Sequence, residues 1–199
     1  MDTSAETQGE SLRDRLVVAG LDLFYRNGFH AVSLDQIIRA VRTTKTSFYN
    51  HFESKEALAA ACISYRDQRW REKFPRLLQE RGGDDPLAQI RAVFDVWRAW
   101  FSDVQFNGCL FIHACSEFPS LHHPCHIAAR DNVLALRDII ADLADHAGLA
   151  DPDAFADRYS LLMQGAIITE VIHRENNAAE TAAEIADMLI ERSRPVHPD

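Results

Sequence analysis

Residues 43–52 read TTKTSFYNHF, an unusually polar stretch in a chain that is 47% apolar. Ten positions hold four hydroxyl side chains, one lysine, one tyrosine, one asparagine, one histidine and two phenylalanines. Thr44 can cap a helix of about 45–51, in which Phe48 and Phe52 point to one side. The stretch therefore predicts a short helix that is anchored by aromatic rings and presents hydrogen-bond donors on its other face.

The segment just before it predicts a partner helix. Ser33 followed by Gln36 is a capping-box pattern, and the apolar residues after Ser33 recur at helical spacing up to Val41. Two short helices joined by a tight turn form a helix-turn-helix, whose second helix enters the major groove of DNA. Lys55 in the first turn of the next helix adds a charge where backbone N–H groups favour phosphate. The exposed donors expected on the second helix are Thr44, Lys45, Thr46, Ser47 and Asn50.

Composition and periodicity predict an all-α fold. The 199 residues include only 8 glycines and 7 prolines, and the text is rich in Ala, Leu, Arg and Glu. Apolar spacing predicts about nine helices: a three-helix head, a long fourth helix from Lys55 to about Arg81, and five further helices. The expected divisions are a disordered lead-in at 1–10, a helix-turn-helix DNA-binding domain at 11–54 and a larger helical body at 55–199.

Charge is distributed unevenly along the chain. The net charge is −9, yet residues 1–55 hold seven basic and seven acidic side chains, so the excess lies in residues 56–199. A neutral head on an acidic body suits a protein that touches nucleic acid with one end only.

Other features bear on the compartment. The chain contains no uninterrupted run of 18 or more apolar residues free of charge, so no transmembrane helix is expected. The acidic, polar N-terminus does not resemble a secretory signal. We therefore expect a cytoplasmic protein without a membrane partner. In a reducing compartment the four cysteines, Cys62, Cys109, Cys115 and Cys125, are expected to be thiols.

Residues 24–58, FYRNGFHAVSLDQIIRAVRTTKTSFYNHFESKEAL, resemble the DNA-binding head of tetracycline-repressor (TetR) family regulators. The resemblance implies that Thr44 caps the recognition helix and that Lys45, Thr46 and Ser47 face the groove. It also implies phosphate contacts from Tyr49, Asn50 and Lys55. Arg42 stands where the family usually has glycine, so it either adds a phosphate contact or changes the shape of the turn.

The same resemblance implies the roles of the body. Family bodies form a pocket for a small-molecule inducer and a four-helix dimer interface, so the expected protein is a homodimeric repressor of a near-palindromic double-stranded operator. No catalytic residue, metal or cofactor is expected. The segment GCLFIHACSEF (108–118) also resembles a stretch of one family subgroup, which supports the sixth helix as a pocket wall. The pocket candidates are Phe94, Trp97, Trp100, Phe101, Phe111, His113, Cys115, Phe118 and Met163. The dimer-interface candidates are Leu161, Ile168, Ile172, Ala182, Ile185 and Leu189.

Two alternatives remain open at this point. A cluster of eight possible ligands could sense a metal or redox state, although its spacing matches no closed structural zinc site. A Cys-dependent enzyme is the more remote alternative, since no nucleophile elbow or phosphate loop is evident. The aromatic stripe on the fifth helix could equally be core. The cluster consists of Cys109, His113, Cys115, Glu117, His122, His123, Cys125 and His126.

Overall fold

The computed structural model describes residues 11–175 and 177–195. Within these residues the chain forms nine α-helices and no strand, which confirms the predicted all-α fold. The predicted lead-in at 1–10 lies outside the described residues. The helices are α1 (Leu12–Asn27), α2 (Leu34–Val41), α3 (Lys45–Tyr49), α4 (Lys55–Gly82), α5 (Pro86–Phe101), α6 (Leu110–Glu117), α7 (Pro124–His146), α8 (Pro152–His173) and α9 (Ala178–Arg192).

Several helices begin at residues that cap their first turn, as the sequence predicts for Ser33 and Thr44. The Ser33 N–H donates to Gln36 Oε1 at 2.7 Å, and the Gln36 N–H donates to Ser33 Oγ at 3.3 Å, which completes the capping box of α2. Asp85 and Asp151 cap α5 and α8, each followed by a proline at the first helical position. These local patterns fix where the helices start.

The sequence pair Asn177 and Glu180 has the spacing of a capping box and predicts a cap for α9, but this prediction is wrong. Asn177 makes no side-chain bond to the start of this helix, and its amide instead lies 3.5 Å from a Glu175 carboxylate oxygen. Glu180, the expected capping-box partner, pairs with Arg98 of α5. A charge-assisted bond to a guanidinium is stronger than a bond to a backbone N–H, so the longer-range partner prevails.

The described residues fall into two compact units. The head unit comprises the described residues up to Arg69 together with Leu110–Arg130, and the body unit comprises Trp70–Cys109 and the described residues from Asp131 onward. Helix α6 therefore packs with the first three helices, while α4 and α7 contribute residues to both units. These two units are defined by packing alone. The division into a DNA-binding domain at 11–54 and a body at 55–199 stays a prediction.

In the head unit, α1 packs closely against α4. Gly20 of α1 faces α4 so closely that an added Cβ would lie 3.1 Å from Cys62 Sγ and 3.2 Å from Leu58 Cδ2. Phe24, Phe29 and other apolar side chains of the head unit are fully buried. The apolar surface that they remove from water is the main term holding α1–α3 together.

In the body unit, α5, α8 and α9 pack around a shared core. Tyr159 of α8 donates its hydroxyl to the Ile90 carbonyl of α5 at 2.6 Å. Ion pairs also join α5 to α9, Arg91 with Asp187 and Arg98 with Glu180. Small side chains on the inner face of α9 allow the close approach. They are Ala178, Ala179, Ala182 and Ala186.

Candidate nucleic-acid interface

The turn between α2 and α3 has the geometry that a glycine would adopt. Arg42 has φ 56° and ψ 54°, in the left-handed region, and the Thr43 N–H donates to the Ile38 carbonyl at 3.1 Å. Arg15 of α1 also donates to the Val41 carbonyl at 2.7 Å, which satisfies the end of α2. The turn therefore keeps its tight shape with an arginine in it, at a steric cost of about 1 kcal/mol.

Helix α3 starts as predicted and ends slightly earlier. Thr44 Oγ1 accepts the Ser47 N–H at 3.1 Å and lies 2.9 Å from the Ser47 hydroxyl. The helix runs for 5 residues to Tyr49 rather than to about 51. Its N-terminal turn therefore presents two short hydroxyl groups and the free N–H groups of a helix start.

The two faces of α3 differ sharply in burial. Phe48 is fully buried and Phe52 nearly so, with ring centroids 5.8 Å apart. Tyr49 is 55% exposed although its ring contacts Phe48 edge-on. The other expected DNA-contacting residues of α3 and the turn are exposed, apart from the half-buried Ser47. These exposed residues are Arg42, Thr44, Lys45, Thr46 and Asn50.

Lys45 forms an ion pair but stays accessible to solvent. Its Nζ lies 3.0 Å from Asp35 Oδ1 of α2, and both side chains are more than half exposed. An exposed pair of this kind contributes about 0–1 kcal/mol, so phosphate can displace the carboxylate readily.

Lys55 turns partly inward. Its Nζ donates to the carbonyls of Phe29 and Val32, both at 2.9 Å, and the side chain is half-buried. A phosphate contact by Lys55 must therefore share the ammonium group with the loop between α1 and α2.

Sequence reasoning missed Arg13. Its guanidinium carbon lies 5.2 Å from the centroid of the Phe52 ring, a buried ring just after α3. Arg13 is therefore a second arginine, besides Arg42, near this helix. Arg13 and Phe52 are far apart in sequence, and no local pattern signals the contact.

The expected pocket residues of α5 form part of a larger aromatic cluster. Phe94, Trp97 and Phe101 are buried and Trp100 is half-buried. The Trp97 Nε1–H donates to the carbonyl of the buried Met163 at 3.4 Å. Sequence reasoning missed three rings, because they lie on α4 and in the segment after α5. These are Trp70, Phe74 and Phe106, with ring centroids 5.0 to 6.3 Å from their neighbours in the cluster.

The pocket candidates of α6 lie in the head unit instead. Phe111 is buried, and His113 and Cys115 are half-buried. Burial lowers the pKa of His113, against an opposing effect from Glu117. Burial also raises the pKa of the Cys115 thiol, which Arg130 offsets in part. A neutral imidazole and a neutral thiol are therefore favoured on this helix.

Phe118, at the end of α6, packs inside the head. Its ring stacks on His123 at 4.4 Å and meets the Phe29 and His30 rings at 5.4 and 5.0 Å. His126 Nδ1 donates to the Phe118 carbonyl at 2.8 Å. The proline-rich break at 119–124 favours exposure of the histidines around it, but His123 and His126 are half-buried and only His122 is exposed.

The candidate ligands of the Cys/His cluster do not gather into a metal site. No group of three or more His, Cys, Asp or Glu side chains could hold a metal ion among residues 11–175 and 177–195. Cys62, Cys109, Cys115 and Cys125 are free thiols. Burial, the largest cause, raises the pKa of Cys62 and raises that of Cys125 to about 12, so these two thiols react weakly.

The dimer candidates divide into exposed and buried residues. Leu161 is 77% exposed and Ile172 is 67% exposed, and Ile168 and Ile185 are exposed as well. Leu189 is half-buried, while Ala182 is buried within the chain itself. Sequence reasoning missed Met188, an exposed apolar side chain on the same helix as Ile185.

In the part of the chain that the structure describes, no helix combines the length and apolar character needed to cross a lipid bilayer.

Comparison with known proteins finds regulators over most of the chain. Residues 16–62 match a family model described as bacterial regulatory proteins of the tetR family. Residues 86–186, just over half of the chain, match the tetracyclin repressor-like C-terminal domain. Two curated relatives cover large shares of the chain. They are the transcriptional regulator AcuR of Cereibacter sphaeroides (29% identical, 77% of this chain and 73% of that protein) and the HTH-type transcriptional regulator YjdC of Escherichia coli (22%, 92% and 95%).

A solved structure shows the same fold. A TetR-family transcriptional regulator from Streptomyces coelicolor superposes with a TM-score of 0.82, covering 92% of this chain and 96% of that chain at 24% identity.

Proposed function

Because the chain belongs to the TetR family of transcriptional regulators, we propose that it is a repressor that binds a near-palindromic operator as a homodimer and leaves it when a small-molecule inducer binds. The family consists of regulators, not enzymes. The observation that carries the proposal is α3 itself, where exposed donors stand opposite the fully buried Phe48. A protein that reads DNA must share a compartment with it, so we place the protein in the cytoplasm.

The contacts follow from the chemistry of each side chain. Lys45, Thr46 and Ser47 face base edges in the major groove, where hydroxyl and ammonium groups match the acceptors of the bases. Tyr49 and Asn50 donate to phosphates and set the register of the helix without reading sequence. Arg42 and Lys55 add phosphate contacts at the two ends, and Thr44 keeps the helix start capped.

The outer face of α8 and α9 supports the homodimer. An apolar row exposed on a monomer indicates a protein contact, and two copies of the row can cover each other. Two heads joined in this way place two recognition helices in successive major grooves, about 34–36 Å apart. The row consists of Leu161, Ile168, Ile172, Ile185 and Met188.

The aromatic cluster of the body unit supports a pocket for an aromatic or apolar inducer. Trp100 is only half-buried and its ring lies edge-on to Phe106 at 5.0 Å, so the cluster presents an accessible ring. An inducer that binds one body conformation better shifts the population toward it, and α4 and α7 carry the change because both contribute residues to the head unit.

The redox- or metal-sensing alternative has less support. The raised pKa of Cys115 disfavours the reactive thiolate, and the described His and Cys side chains do not converge. Release of DNA by zinc, or by a thiol oxidant, would revive this alternative.

The proposal is tested by selecting binding sites from random duplex DNA with the full-length protein. We expect a near-palindrome of two half-sites, and we expect the double variant Lys45→Ala/Thr46→Ala to recover no such sequence. Recovery of the same palindrome by the variant, or of no sequence by the wild type, would contradict the assignment of α3 as the reading helix.

A further inference from the structure

The last residue of α6, Glu117, binds the loop between α1 and α2 through its carboxylate. The two Glu117 oxygens accept the N–H groups of Phe29 at 2.9 Å and His30 at 2.7 Å. The His30 ring then donates its Nε2–H to the Glu117 carbonyl at 2.8 Å. Three hydrogen bonds thus join residues 87 or 88 positions apart in the sequence.

The loop is shaped to receive this carboxylate. Gly28 has φ +85°, and a Cβ at this position would lie 3.1 Å from Glu117 Oε1. A larger residue would meet both a strained backbone and a crowded oxygen, so glycine allows the close approach. Phe118 completes the fit by packing its ring against Phe29 and His30.

A positively charged side chain also binds the same loop. Lys55, at the start of α4, donates to the carbonyls of Phe29 and Val32. The loop amides therefore face an anion and its carbonyls face a cation, and bonds to ionised groups are about twice as strong as neutral ones. Ser33, which caps α2, comes directly after Val32. The loop that Glu117 binds therefore leads directly into the residue that caps α2.

We infer that Glu117 is a positioning residue for DNA binding, which couples α6 to the helix-turn-helix through the loop at 28–32. The inference rests on the proposed function, since it concerns the DNA-bound arrangement of α2 and α3. Coupling between two sites is reciprocal, so DNA bound at α3 must in turn stabilise α6. If Glu117 only stabilised the fold, its replacement would leave the effect of DNA on α6 unchanged.

The Glu117→Gln variant removes the charge while it keeps the size of the side chain. Its amide oxygen can accept one loop N–H, but its NH2 group then faces the other N–H, donor against donor. Ser116→Ala is the matched control, because the Ser116 hydroxyl bonds the Ile112 carbonyl within α6 and does not touch the loop.

The experiment measures hydrogen–deuterium exchange of the full-length protein with and without a selected operator duplex. In the wild type and in Ser116→Ala, we expect DNA to slow exchange both at 33–50 and at 110–118. In Glu117→Gln we expect slowing at 33–50 only, together with a rise of at least about 5-fold in the Kd for DNA. Glu117→Asp, which restores the charge, should recover part of the effect at 110–118.

Two results would overturn the inference. The first is slowing at 33–50 without slowing at 110–118 in the wild type. The second is a Glu117→Gln variant that responds at 110–118 as the wild type does. Absence of slowing at 33–50 in the wild type would instead remove the proposed DNA-binding function, and the inference with it.

Discussion

The recognition surface of α3 and the outer face of α8 and α9 are both exposed, but their chemistry is opposite. The first presents hydroxyl, amide and cationic groups, among them Lys45 and Asn50, which water solvates well in the free protein. The second presents Leu161, Ile172 and other apolar side chains, whose exposure costs about 25 cal/mol for each Å². The difference matches the two partners that we propose: a charged polymer for the first surface and a second copy of the apolar surface for the other.

The largest expected effect tests whether the inner side of α3 is purely structural. Phe48→Ala should lower the free energy of unfolding by about 3–5 kcal/mol, because it opens a cavity at a fully buried ring. Thr46→Ala on the exposed side should change it by less than about 0.5 kcal/mol. Chemical denaturation measures both, and equal effects of the two variants would contradict the two-sided description of α3.

The second prediction concerns a variant that places charges on the outer face of α8 and α9. Leu161→Glu/Ile172→Glu should convert a dimer of twice 22.5 kDa into a monomer, as measured by analytical ultracentrifugation. Its operator affinity should fall about 100-fold or more, because the two heads no longer bind as one ligand. Val104→Glu is the control, since Val104 is 99% exposed but lies away from α8 and α9 in sequence. A double variant that stayed dimeric would place the interface elsewhere.

The third prediction tests the charge of the recognition surface. Lys45→Ala should lower the slope of log K against log salt concentration by about one for each head, because each head then brings one positive charge fewer into the groove and displaces about one counterion fewer from the DNA. Lys73→Ala, an exposed lysine of α4 in the body unit, should leave the slope unchanged. Titration of DNA binding against salt measures both, and identical slopes in wild type and Lys45→Ala would remove this lysine from the footprint.

A smaller effect is expected from the Tyr49 hydroxyl. Tyr49→Phe should weaken binding by about 1 kcal/mol, the usual contribution of one hydrogen bond. The loss should be the same for the operator and for unrelated duplexes, because a phosphate contact carries no sequence information. Fluorescence anisotropy with both duplexes would show it, and a loss confined to the operator would assign Tyr49 to the bases.

The smallest effect concerns the turn. Arg42→Gly should raise the free energy of unfolding by about 0.5 kcal/mol, because relief of the left-handed strain exceeds the added entropy of the unfolded chain. The same variant should bind DNA more weakly, because it loses the proposed phosphate contact of Arg42. Denaturation and DNA titration of one variant separate the two, and a loss of stability would contradict the strain at this position.

Local patterns predicted the head well because its signals lie within a few residues of each other. Ser33 with Gln36 and Thr44 before Ser47 form the bonds that their spacing predicts. Contacts set by distant packing were not predictable in this way. Lys55 and Glu117 both bind the loop after α1. These bonds depend on how α4 and α6 pack against α1, which the spacing of neighbouring residues does not encode.

The body illustrates the same limit. Helix α8 is apolar on more than one side, so its sequence does not say which side α5 and α9 cover. Packing in the structure buries Met163 and Ala182 and leaves Ile168 and Met188 exposed. The buried Ala182 was expected at the dimer interface, and the exposed Met188 was not.

In the proposed mechanism, the two α3 helices of one homodimer read two half-sites together. The most direct measurement compares the affinity for the selected operator with that for the same operator carrying about half a helical turn, some 5 base pairs, inserted between its halves. The two heads would then face opposite sides of the duplex, and we predict that affinity falls to that of a single half-site. An affinity unchanged by the insertion would contradict the claim.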